Sequence, residues 1–385
     1  MHESFDVMVV GGGVVGLSAA LAMLQRGFSV ALFDAGDLEA QDQTQGGRVY
    51  ALNQASQTLL QRLGVWSRLD ERQVSSYQSM YVWDALSGAK LEFDARSMAA
   101  SSLGVMLNEG VLKKALLVTA DGVGLTRFSR CVITRVQPHE QGVSIFSDER
   151  AWHARLLIVA DGPHSALRTL LHVPMTTWPY HQHAVVAQVQ TTKPHQQTAY
   201  QVFEGKGALA FLPLVDPYQC SIVWSTSAPH ASVLMKASDE QFSASLTQAF
   251  ESRLGRVDVV GRRHEFPLHM RHTSSYVGPS WMLMGDAAHT LHPLAGLGLN
   301  VGLADVDAWC RLLDNRPGEL NASRLLHAYQ RERKYAVWQV IALMQGLKML
   351  FTSPFSGVVA TRGWGLNAVN RLTFLKKYLI AQAAG

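Results

Sequence analysis

Three short apolar runs stand out along the chain, and each ends in a turn that leads into a segment of helical composition. They are residues 5–10 (FDVMVV), 156–160 (LLIVA) and 281–284 (WMLM), whose aliphatic content is typical of buried strands. Residues 14–26 after the first run have helical composition, and a further strand-like run follows at 28–34 (FSVALFD). This order of strand, helix and strand predicts a βαβ unit, whose two strands lie parallel in one sheet.

A different pattern fills the chain between the second and third apolar runs. Within residues 174–275, apolar and polar positions alternate in HAVVAQVQ, GALAFLPLV and CSIVWST, as in antiparallel strands with one buried face. Residues 320–350 and 364–384 have the composition of helices. We therefore predict an α/β fold, in which a doubly wound, Rossmann-like domain of discontinuous segments carries an inserted antiparallel sheet and C-terminal helices.

The composition narrows the classes of protein that fit this pattern. A chain of 385 residues is too long for one ordinary core, which indicates two domains or one domain with a large insertion. The formal charge of +4 is small and scattered, so no nucleic-acid partner is indicated. The three cysteines are far apart and form no CxxC pair, which argues against a zinc knuckle or a redox dithiol and suits a reducing cytoplasm.

The first turn contains the spacing G-x-G-x-x-G, formed by Gly11, Gly13 and Gly16 between a predicted strand and a predicted helix. In this context the first glycine makes a tight turn, the second lets a pyrophosphate reach the backbone, and the third lets helix and strand pack closely. Asp34 ends the next strand 18 residues after Gly16, where a carboxylate can accept hydrogen bonds from a ribose. A glycine turn that binds nothing is the alternative, but the combined pattern favours a dinucleotide site.

The second turn, in the stretch ADGPHSALR, places Asp161 and Gly162 at the end of a strand. Ser165 and Arg168 fall on the helix that follows. Ser165 lacks the G-x-S-x-G environment of a hydrolase nucleophile, so this stretch does not indicate a hydrolase.

The third turn, GDAAHTLHPLAGLGLNVG at residues 285–302, is rich in small side chains that let a backbone approach a ligand closely. Asp286 ends the strand before it and can accept a hydrogen bond from a ribose or ribityl hydroxyl. The backbone N–H groups of Leu299 and Asn300, after Gly298, can meet a pyrophosphate or a flavin carbonyl at a helix start.

Other polar residues have ordinary structural explanations. His289 and His292 are three residues apart, but no carboxylate-rich third ligand accompanies them, so we predict no metal site. His181 and His183 alternate as on one face of a strand, where a solvated or hydrogen-bonded imidazole is the simpler interpretation. Asp216 in LVDPYQC is interpreted as a turn residue.

These stretches together resemble the FAD-dependent aromatic hydroxylases that are similar to p-hydroxybenzoate hydroxylase. The order and spacing match their N-terminal glycine fingerprint, their DG motif (DGxxSxxR) and their GD motif (GDAAHxxxP). The ubiquinone-biosynthesis hydroxylase branch is more similar still. That similarity is carried by GRVYALN (47–53), WPYHQHAVVAQV (178–189), GALAFLPLVDPYQCSIVWS (207–225), FPL (266–268) and GDAAHTLHPLAGLGLNVGLADV (285–306), and the resemblance covers about residues 5–335.

The resemblance implies a FAD- and NAD(P)H-dependent monooxygenase that hydroxylates the aromatic ring of a prenylated phenol in ubiquinone biosynthesis. The chemistry would use O2 and a flavin C4a-hydroperoxide. Pro293 is the implied catalytic position, through a backbone carbonyl near flavin and substrate, and the DG motif is implied to contact NAD(P)H as well as FAD. The implied FAD-binding residues are Gly11, Gly13, Val14, Val15, Gly16, Asp34, Arg48, Asn108, Asp161, Gly162, Arg168, Asp286, Gly298, Leu299 and Asn300.

The same resemblance implies the domain organisation, the location and the partners. The FAD-binding domain would comprise residues 1–73, 103–170 and 276–335, the substrate domain residues 74–102 and 171–275, and the C-terminal helical region residues 336–385. We expect a cytoplasmic protein with peripheral contact at the inner membrane face. Contacts with other ubiquinone-biosynthesis proteins and a homo-oligomer stay open.

The C-terminal region leaves two interpretations open. Residues 335–351 (YAVWQVIALMQGLKMLF) are a poor transmembrane span because they are short and include two glutamines and a lysine. They either pack within the protein or an oligomer, or touch a membrane surface. Residues 371–379 (RLTFLKKYL) mix cations with large apolar groups, as interfacial helices do.

Three positions depart from the family pattern. Asp34 stands where the family usually has glutamate, Leu297 where it has glutamine, and Leu107-Asn108 where it often has Glu-Asn. Leu297 lies next to the implied flavin ring and bears on hydroxylation efficiency more than on FAD binding, which uses backbone groups.

Other functions remain as alternatives. One is another flavoprotein of this fold, such as a halogenase or a prenyl-chain reductase, although the halogenase motif W-x-W-x-I-P is absent. The other is a FAD-binding scaffold subunit of a biosynthetic complex with little turnover, an interpretation that rests on Leu297.

Overall fold

The computed structural model describes residues 3–39, 48–98, 100–139, 141–148, 150–205, 207–291, 297–316 and 318–352. Within these residues the strands form two eight-stranded sheets and one three-stranded sheet. The strands are β1 (Glu3–Val10), β2 (Val30–Phe33), β3 (Val49–Leu52), β4 (Val74–Tyr77), β5 (Ser79–Asp84), β6 (Lys90–Asp94), β7 (Gly104–Asn108), β8 (Thr126–Phe128), β9 (Arg135–His139), β10 (Gly142–Ser147), β11 (Arg150–Val159), β12 (Met175–Thr191), β13 (Thr198–Phe203), β14 (Ala208–Pro213), β15 (Gln219–Ser227), β16 (Val257–Thr273), β17 (Val277–Gly278), β18 (Trp281–Leu283) and β19 (His289–Thr290). The helices are α1 (Val14–Leu24), α2 (Gln54–Arg62), α3 (Glu109–Asp121), α4 (Ala166–Leu170), α5 (Ala228–Lys236), α6 (Asp239–Ala249), α7 (Leu297–Asp314) and α8 (Ser323–Thr352).

The first sheet has a parallel centre in the order β18-β11-β1-β2-β8. The predicted βαβ unit is confirmed, because β1 and β2 pair in parallel on either side of α1 in sequence. Val7 and Met8 are adjacent on β1 and so point to opposite faces of the sheet, and both are completely buried. Both faces of these strands are therefore covered, as is usual for parallel sheets, and this explains their unbroken apolar runs.

The second sheet is mainly antiparallel, in the order β19-β16-β12-β15-β14-β13-β5-β6. Its alternation sorts the side chains to two faces. Val185 and Ile222 on one face join a core with Phe242 of α6. Tyr180 on the other face packs with Val337 of α8. The predicted antiparallel sheet is thus confirmed.

Three local features differ from the predicted pattern. The strand expected at 156–160 begins at Arg150, because its first half pairs antiparallel with β10. The inserted segment also contains helices α5 and α6. The pairing of β12 with β16 shifts register between Pro179 and His183, and His181 there has a φ of 53°. His181 and His183 therefore do not share one regular strand face, and His183 Nδ1 instead lies 2.6 Å from Glu265 Oε1.

Helix α8 crosses the second sheet with one buried and one exposed face. Val337 and Ile341 are buried, whereas Tyr335 is 69% exposed and Met349 is 72% exposed. None of the helices in the described part of the chain is both long and apolar enough to cross a membrane. The helix expected at 364–384 lies outside the described residues.

The packing of α8 on β16 makes a pH-dependent contribution to stability. His272 is buried at the end of β16, with its ring centroid 4.9 Å from that of Trp338. Burial lowers the pKa of His272 to about 4, with a further contribution from Lys334. Because an unfolded histidine titrates near 6.5, the unfolded chain binds the extra proton between these values. Stability is therefore full above pH 6.5 and is lost as the pH falls towards 4.

We expect His272→Phe to remove most of this acid sensitivity. Chemical denaturation between pH 7 and pH 4 should show the wild type losing about 2 kcal/mol more than the variant, once solvent screening is allowed for. His327→Phe, at an exposed position of α8, is the matched control and should retain the wild-type pH profile. Equal slopes for His272→Phe and the wild type would contradict this assignment.

Candidate cofactor-binding site

Three turns lie side by side at one edge of the first sheet, where the parallel strands β1, β11 and β18 end. Strand β11 pairs with both β1 and β18, so the turns at 11–13, 160–162 and 285–287 are neighbours. In open α/β sheets, ligands bind beyond the carboxyl ends of the strands. The three sequence motifs therefore converge on one place in the fold.

The three glycines of the first turn are required for different reasons. Gly11 has a φ of 113°, and a Cβ there would lie 2.2 Å from the Ala160 carbonyl oxygen. A Cβ at Gly16 would lie 1.9 Å from the Gly11 carbonyl oxygen, so this glycine lets α1 pack on the turn. Gly13 has an ordinary φ of −73°, and no described atom lies within 4 Å of its Cβ position. The protein's own packing does not need a glycine at Gly13, whereas a ligand at the start of α1 would.

The N-terminus of α1, which follows this turn, has backbone groups that suit an anion. Val14 and Val15 open α1, and Gly13 is its N-cap without a side chain to satisfy the first N–H groups. Such free N–H groups and the positive end of the helix dipole suit a pyrophosphate. These residues fit the phosphates of FAD.

Asp34 holds the first turn from the end of β2. Its carboxylate accepts hydrogen bonds from the backbone N–H groups of Gly12 and Gly36. An ionised carboxylate has about four acceptor positions, so Asp34 retains capacity for a ribose hydroxyl. The shorter acid at this position thus reaches the glycine turn directly.

Asp161 in the second turn carries an acceptor that the described residues leave unused. Its Oδ2 accepts the N–H of Leu167 at 3.2 Å, while its buried Oδ1 has no hydrogen-bond partner among the described residues. Burial raises the pKa of this carboxyl group. Gly162 follows with a φ of 86° and with open space at its Cβ position. An unpartnered acceptor beside open backbone fits a ligand that donates hydrogen bonds.

Arg168 links the second turn to the third. Its buried guanidinium donates to the Ala287 carbonyl oxygen at 3.1 Å and to the Pro163 carbonyl oxygen at 3.4 Å. Burial also lowers the pKa of this side chain. Its contacts among the described residues thus hold backbone, and its predicted role in cofactor binding stays a prediction.

Asp286 and Arg48 carry opposite charges that interact electrostatically at the site. Gly285 has a φ of 59° and turns the chain, so that half-buried Asp286 follows it within the turn. Burial raises the pKa of Asp286, and the positive charge of Arg48 opposes that rise. Arg48 directly precedes β3 of the three-stranded sheet, and its guanidinium carbon lies 5.0 Å from the centre of the Tyr50 ring. This part of the site therefore offers both a carboxylate and a cation to a ligand.

Asn108 stands beside Arg48. Val49 pairs with Asn108 across β3 and β7, and the Glu109 N–H donates to the Arg48 carbonyl oxygen at 2.8 Å. The Asn108 side chain accepts the N–H of Gly110 at 2.8 Å and caps α3. The structure thus gives Asn108 a capping contact and leaves its proposed contact with FAD as a prediction.

At the start of α7, the Asn300 side chain is used within the protein, so only backbone groups there remain for a ligand. The Asn300 carbonyl Oδ1 accepts from the Asn53 N–H at 3.0 Å and the Ser56 hydroxyl at 2.8 Å. Leu299 is buried, and Gly298 has open space at its Cβ position. The predicted catalytic position, Pro293, lies outside the described residues.

A cleft of about 360 Å³ opens between β7 and the turn that follows β14. Leu107, Asn108, Gln188 and Leu214 are among its lining residues. Tyr180 of β12 is buried under α8, where Gln345 donates to its hydroxyl at 3.3 Å. The cleft combines apolar walls with a few polar groups, as ligand sites usually do.

Sequence reasoning missed one buried cluster of polar side chains below the third turn. Asp305 of α7 is buried, and it contacts two other buried side chains, His289 and Arg333 of α8. The signal was available, since an Asp and an Arg on the apolar faces of two helices are rarely buried unless paired. His289 is therefore bound to Asp305, and His292 lies outside the described residues. Among the described residues, no three His, Cys, Asp or Glu side chains gather as metal ligands would.

Comparison with known proteins places this chain among FAD-binding proteins. The family described as FAD binding domain matches residues 4–344. The 3-demethoxyubiquinol 3-hydroxylase of Escherichia coli (strain K12) is 32% identical over 396 residues, which cover 100% of this chain and 99% of that protein. The mitochondrial ubiquinone biosynthesis monooxygenase COQ6 of Danio rerio is 30% identical over 438 residues, which cover 100% of this chain and 90% of that protein.

Solved structures show the same fold at lower identity. The p-nitrophenol 4-monooxygenase PnpA from Pseudomonas putida DLL-E4 superimposes with a TM-score of 0.80 at 15% identity, over 98% of this chain and 97% of that one. The fold and the matched segment thus define a FAD-binding flavoprotein. Within that class, the chain belongs to the family of FAD-dependent ubiquinone-biosynthesis hydroxylases. It is a flavin-dependent monooxygenase, as the sequence motifs predicted.

Proposed function

We propose that the protein hydroxylates the aromatic ring of a prenylated phenol in ubiquinone biosynthesis, using FAD, NAD(P)H and O2. The observation that carries the proposal is the convergence of three turns at the ends of β1, β11 and β18. Gly13, Asp161 and Asp286 there present open space and carboxylates that fit a dinucleotide. The names of the similar proteins, which are ubiquinone hydroxylases and monooxygenases, support the substrate class.

The residues of this chain would hold FAD along its length. The first turn and Asp34 would bind the ADP part, Arg48 the pyrophosphate side, and Asp286 the ribityl chain. Gly298, Leu299 and Asn300 would offer backbone to the flavin ring. When bound, FAD supplies the redox chemistry, which accounts for the lack of a nucleophile–base pair among the site residues that the structure describes. The protein supplies orientation and exclusion of water.

The substrate would meet the flavin near the cleft between the three-stranded sheet and the second sheet. We infer that this cleft admits part of the substrate, because Val49 and Leu214 offer apolar walls to a prenylated molecule. Gln188 and Asn108 in the same cleft can bond a phenolic oxygen.

A prenylated phenol resides in a membrane, which bears on where the protein works. The exposed side of α8 carries Tyr335, Trp338 and Met349, aromatic and apolar groups of the kind that interfacial helices use. We infer peripheral contact at the inner membrane face, from the cytoplasmic side. Vesicle flotation of the wild type and of a variant that lacks the exposed Trp338 side chain would measure this membrane contact.

Leu297 supports a second candidate function and gives a test between the two. If leucine beside the flavin ring handicaps hydroxylation, Leu297→Gln should raise the fraction of NAD(P)H oxidation that yields hydroxylated product by a factor of roughly 3, the worth of one added hydrogen bond. Product and NAD(P)H are measured together, and Leu297→Met, which adds no hydrogen-bond donor and nearly conserves the side-chain volume, serves as the control. A wild-type protein that binds FAD without substrate-dependent turnover would favour a scaffold subunit.

The experiment that tests the proposed function is anaerobic reduction of the bound flavin by NADH or NADPH, with and without a prenylated phenol. Reduction that accelerates with the phenol supports a hydroxylase of that substrate class. Bound flavin that is indifferent to every phenol would remove the substrate from the proposal.

A further inference from the structure

One buried carboxylate joins the third turn to two helices. Asp305 lies in α7 and is completely buried. Its Oδ2 accepts the N–H of Gly285 at 2.9 Å and lies 2.8 Å from His289 Nε2. Its Oδ1 accepts from Arg333 Nε of α8 at 2.6 Å. Both ends of the turn and the C-terminal helix thus meet at this one side chain.

The Asp305 carboxylate keeps its negative charge despite its burial. Burial by itself raises the pKa of Asp305, but His289 and Arg333 outweigh it and lower the pKa below its ordinary value. Arg333 is also used on its other side, where it donates to the Val301 carbonyl oxygen at 3.2 Å. A buried ion pair is often no more stabilising than apolar residues of the same size. Stability alone therefore does not account for the group.

The turn that Asp305 holds needs an external anchor. Gly285 adopts the left-handed region, with a φ of 59°, and Asp286 follows it directly. Arg168 and Thr273 fix later carbonyl oxygens of the turn, those of Ala287 and Ala288. Asp305 is the side chain that takes the N–H at the start of the turn, immediately before Asp286.

We propose that Asp305 is a positioning residue for the flavin site: its carboxylate, held by Arg333, fixes the turn at residues 285–289 so that Asp286 points into the site. The inference rests on the proposed FAD function. It also assigns a role to α8, which reaches the cofactor site through Arg333. Removing the acceptor at Asp305 should weaken FAD binding even where the fold is kept.

The test compares two uncharged replacements of the pair. Asp305→Asn with Arg333→Met keeps a carbonyl oxygen for the Gly285 N–H, whereas Asp305→Leu with Arg333→Met removes it. Both doubles avoid an unpaired buried charge, so both should fold. The dissociation constant for FAD is measured by flavin fluorescence, and the melting temperature of each apoprotein is measured separately.

We expect the leucine double to bind FAD about 10-fold or more weakly than the asparagine double, at similar melting temperatures, because it lacks the acceptor. The single variant Asp305→Asn is the second test. Its amide must direct an N–H at either Arg333 or Gly285, so it should also bind weakly, and Arg333→Met should restore binding. Asp307→Asn, on the same helix and paired with Arg311, is the control and should bind as the wild type does.

Two results would overturn the proposal. Equal FAD affinities for the two doubles, within a factor of about 2, would show that the acceptor does not matter to the site. Affinities that simply follow the melting temperatures across the set would show a structural role only. A wild-type protein that binds no FAD would instead defeat the proposed function itself, so the two failures are distinguishable.

Discussion

Gly13→Val is expected to abolish FAD binding while leaving the apoprotein folded. The position has an ordinary backbone conformation, with a φ of −73°, and its Cβ would meet no described atom within 4 Å. The added side chain would occupy the space through which a pyrophosphate reaches the N–H groups of α1. We expect the dissociation constant for FAD to rise about 100-fold or more, since several charge-assisted hydrogen bonds are lost together.

Two further glycine-to-valine variants serve as comparisons for this prediction. Gly346→Val lies on the exposed face of α8, also with open space at its Cβ position, and should bind FAD normally. Gly16→Val should unfold the protein or lower its melting temperature sharply, because its Cβ would lie 1.9 Å from the Gly11 carbonyl oxygen. Normal flavin content in purified Gly13→Val would contradict the placement of the phosphates.

Asp286→Ala is expected to lower FAD affinity by a factor of about 10 to 100, the worth of hydrogen bonds to a charged group. The carboxylate is half-buried and interacts with the positive charge of Arg48, so its loss also removes that electrostatic interaction. Flavin retained through gel filtration and titration of the apoprotein both measure the effect. Asp239→Ala is a suitable control, because its exposed carboxylate accepts from Arg263 at the start of α6 and lies outside the cleft. Unchanged flavin occupancy in Asp286→Ala would remove this residue from the site.

The sequence predicted those parts of the site that depend on local pattern. Gly11 and Gly16 are fixed by contacts within one strand, one turn and one helix, and such contacts leave a spacing that can be read directly. Asp34 could be placed for the same reason, at the end of the strand beside the first turn. The alternation of apolar and polar residues within 174–275 likewise predicted an antiparallel sheet, because a period of two indicates strands with one buried face.

The parts that could not be predicted depend on contacts between distant segments. Arg168 was assigned to its own motif, but its guanidinium reaches Ala287, far along the chain. Asp305 and Arg333 meet only because α8 packs against α7. No spacing within either helix contains that information. The sequence therefore predicted the turns that form the site better than the distant contacts that hold those turns in place.

The most direct measurement of the central claim is the fate of isotope-labelled O2 in a reaction of the purified protein with FAD, NAD(P)H and a short-chain prenylated phenol. The account predicts a ring-hydroxylated product that carries one labelled oxygen atom, formed in proportion to the NAD(P)H consumed. A protein that binds FAD and oxidises NAD(P)H but yields only hydrogen peroxide, with every phenol unchanged, would contradict it.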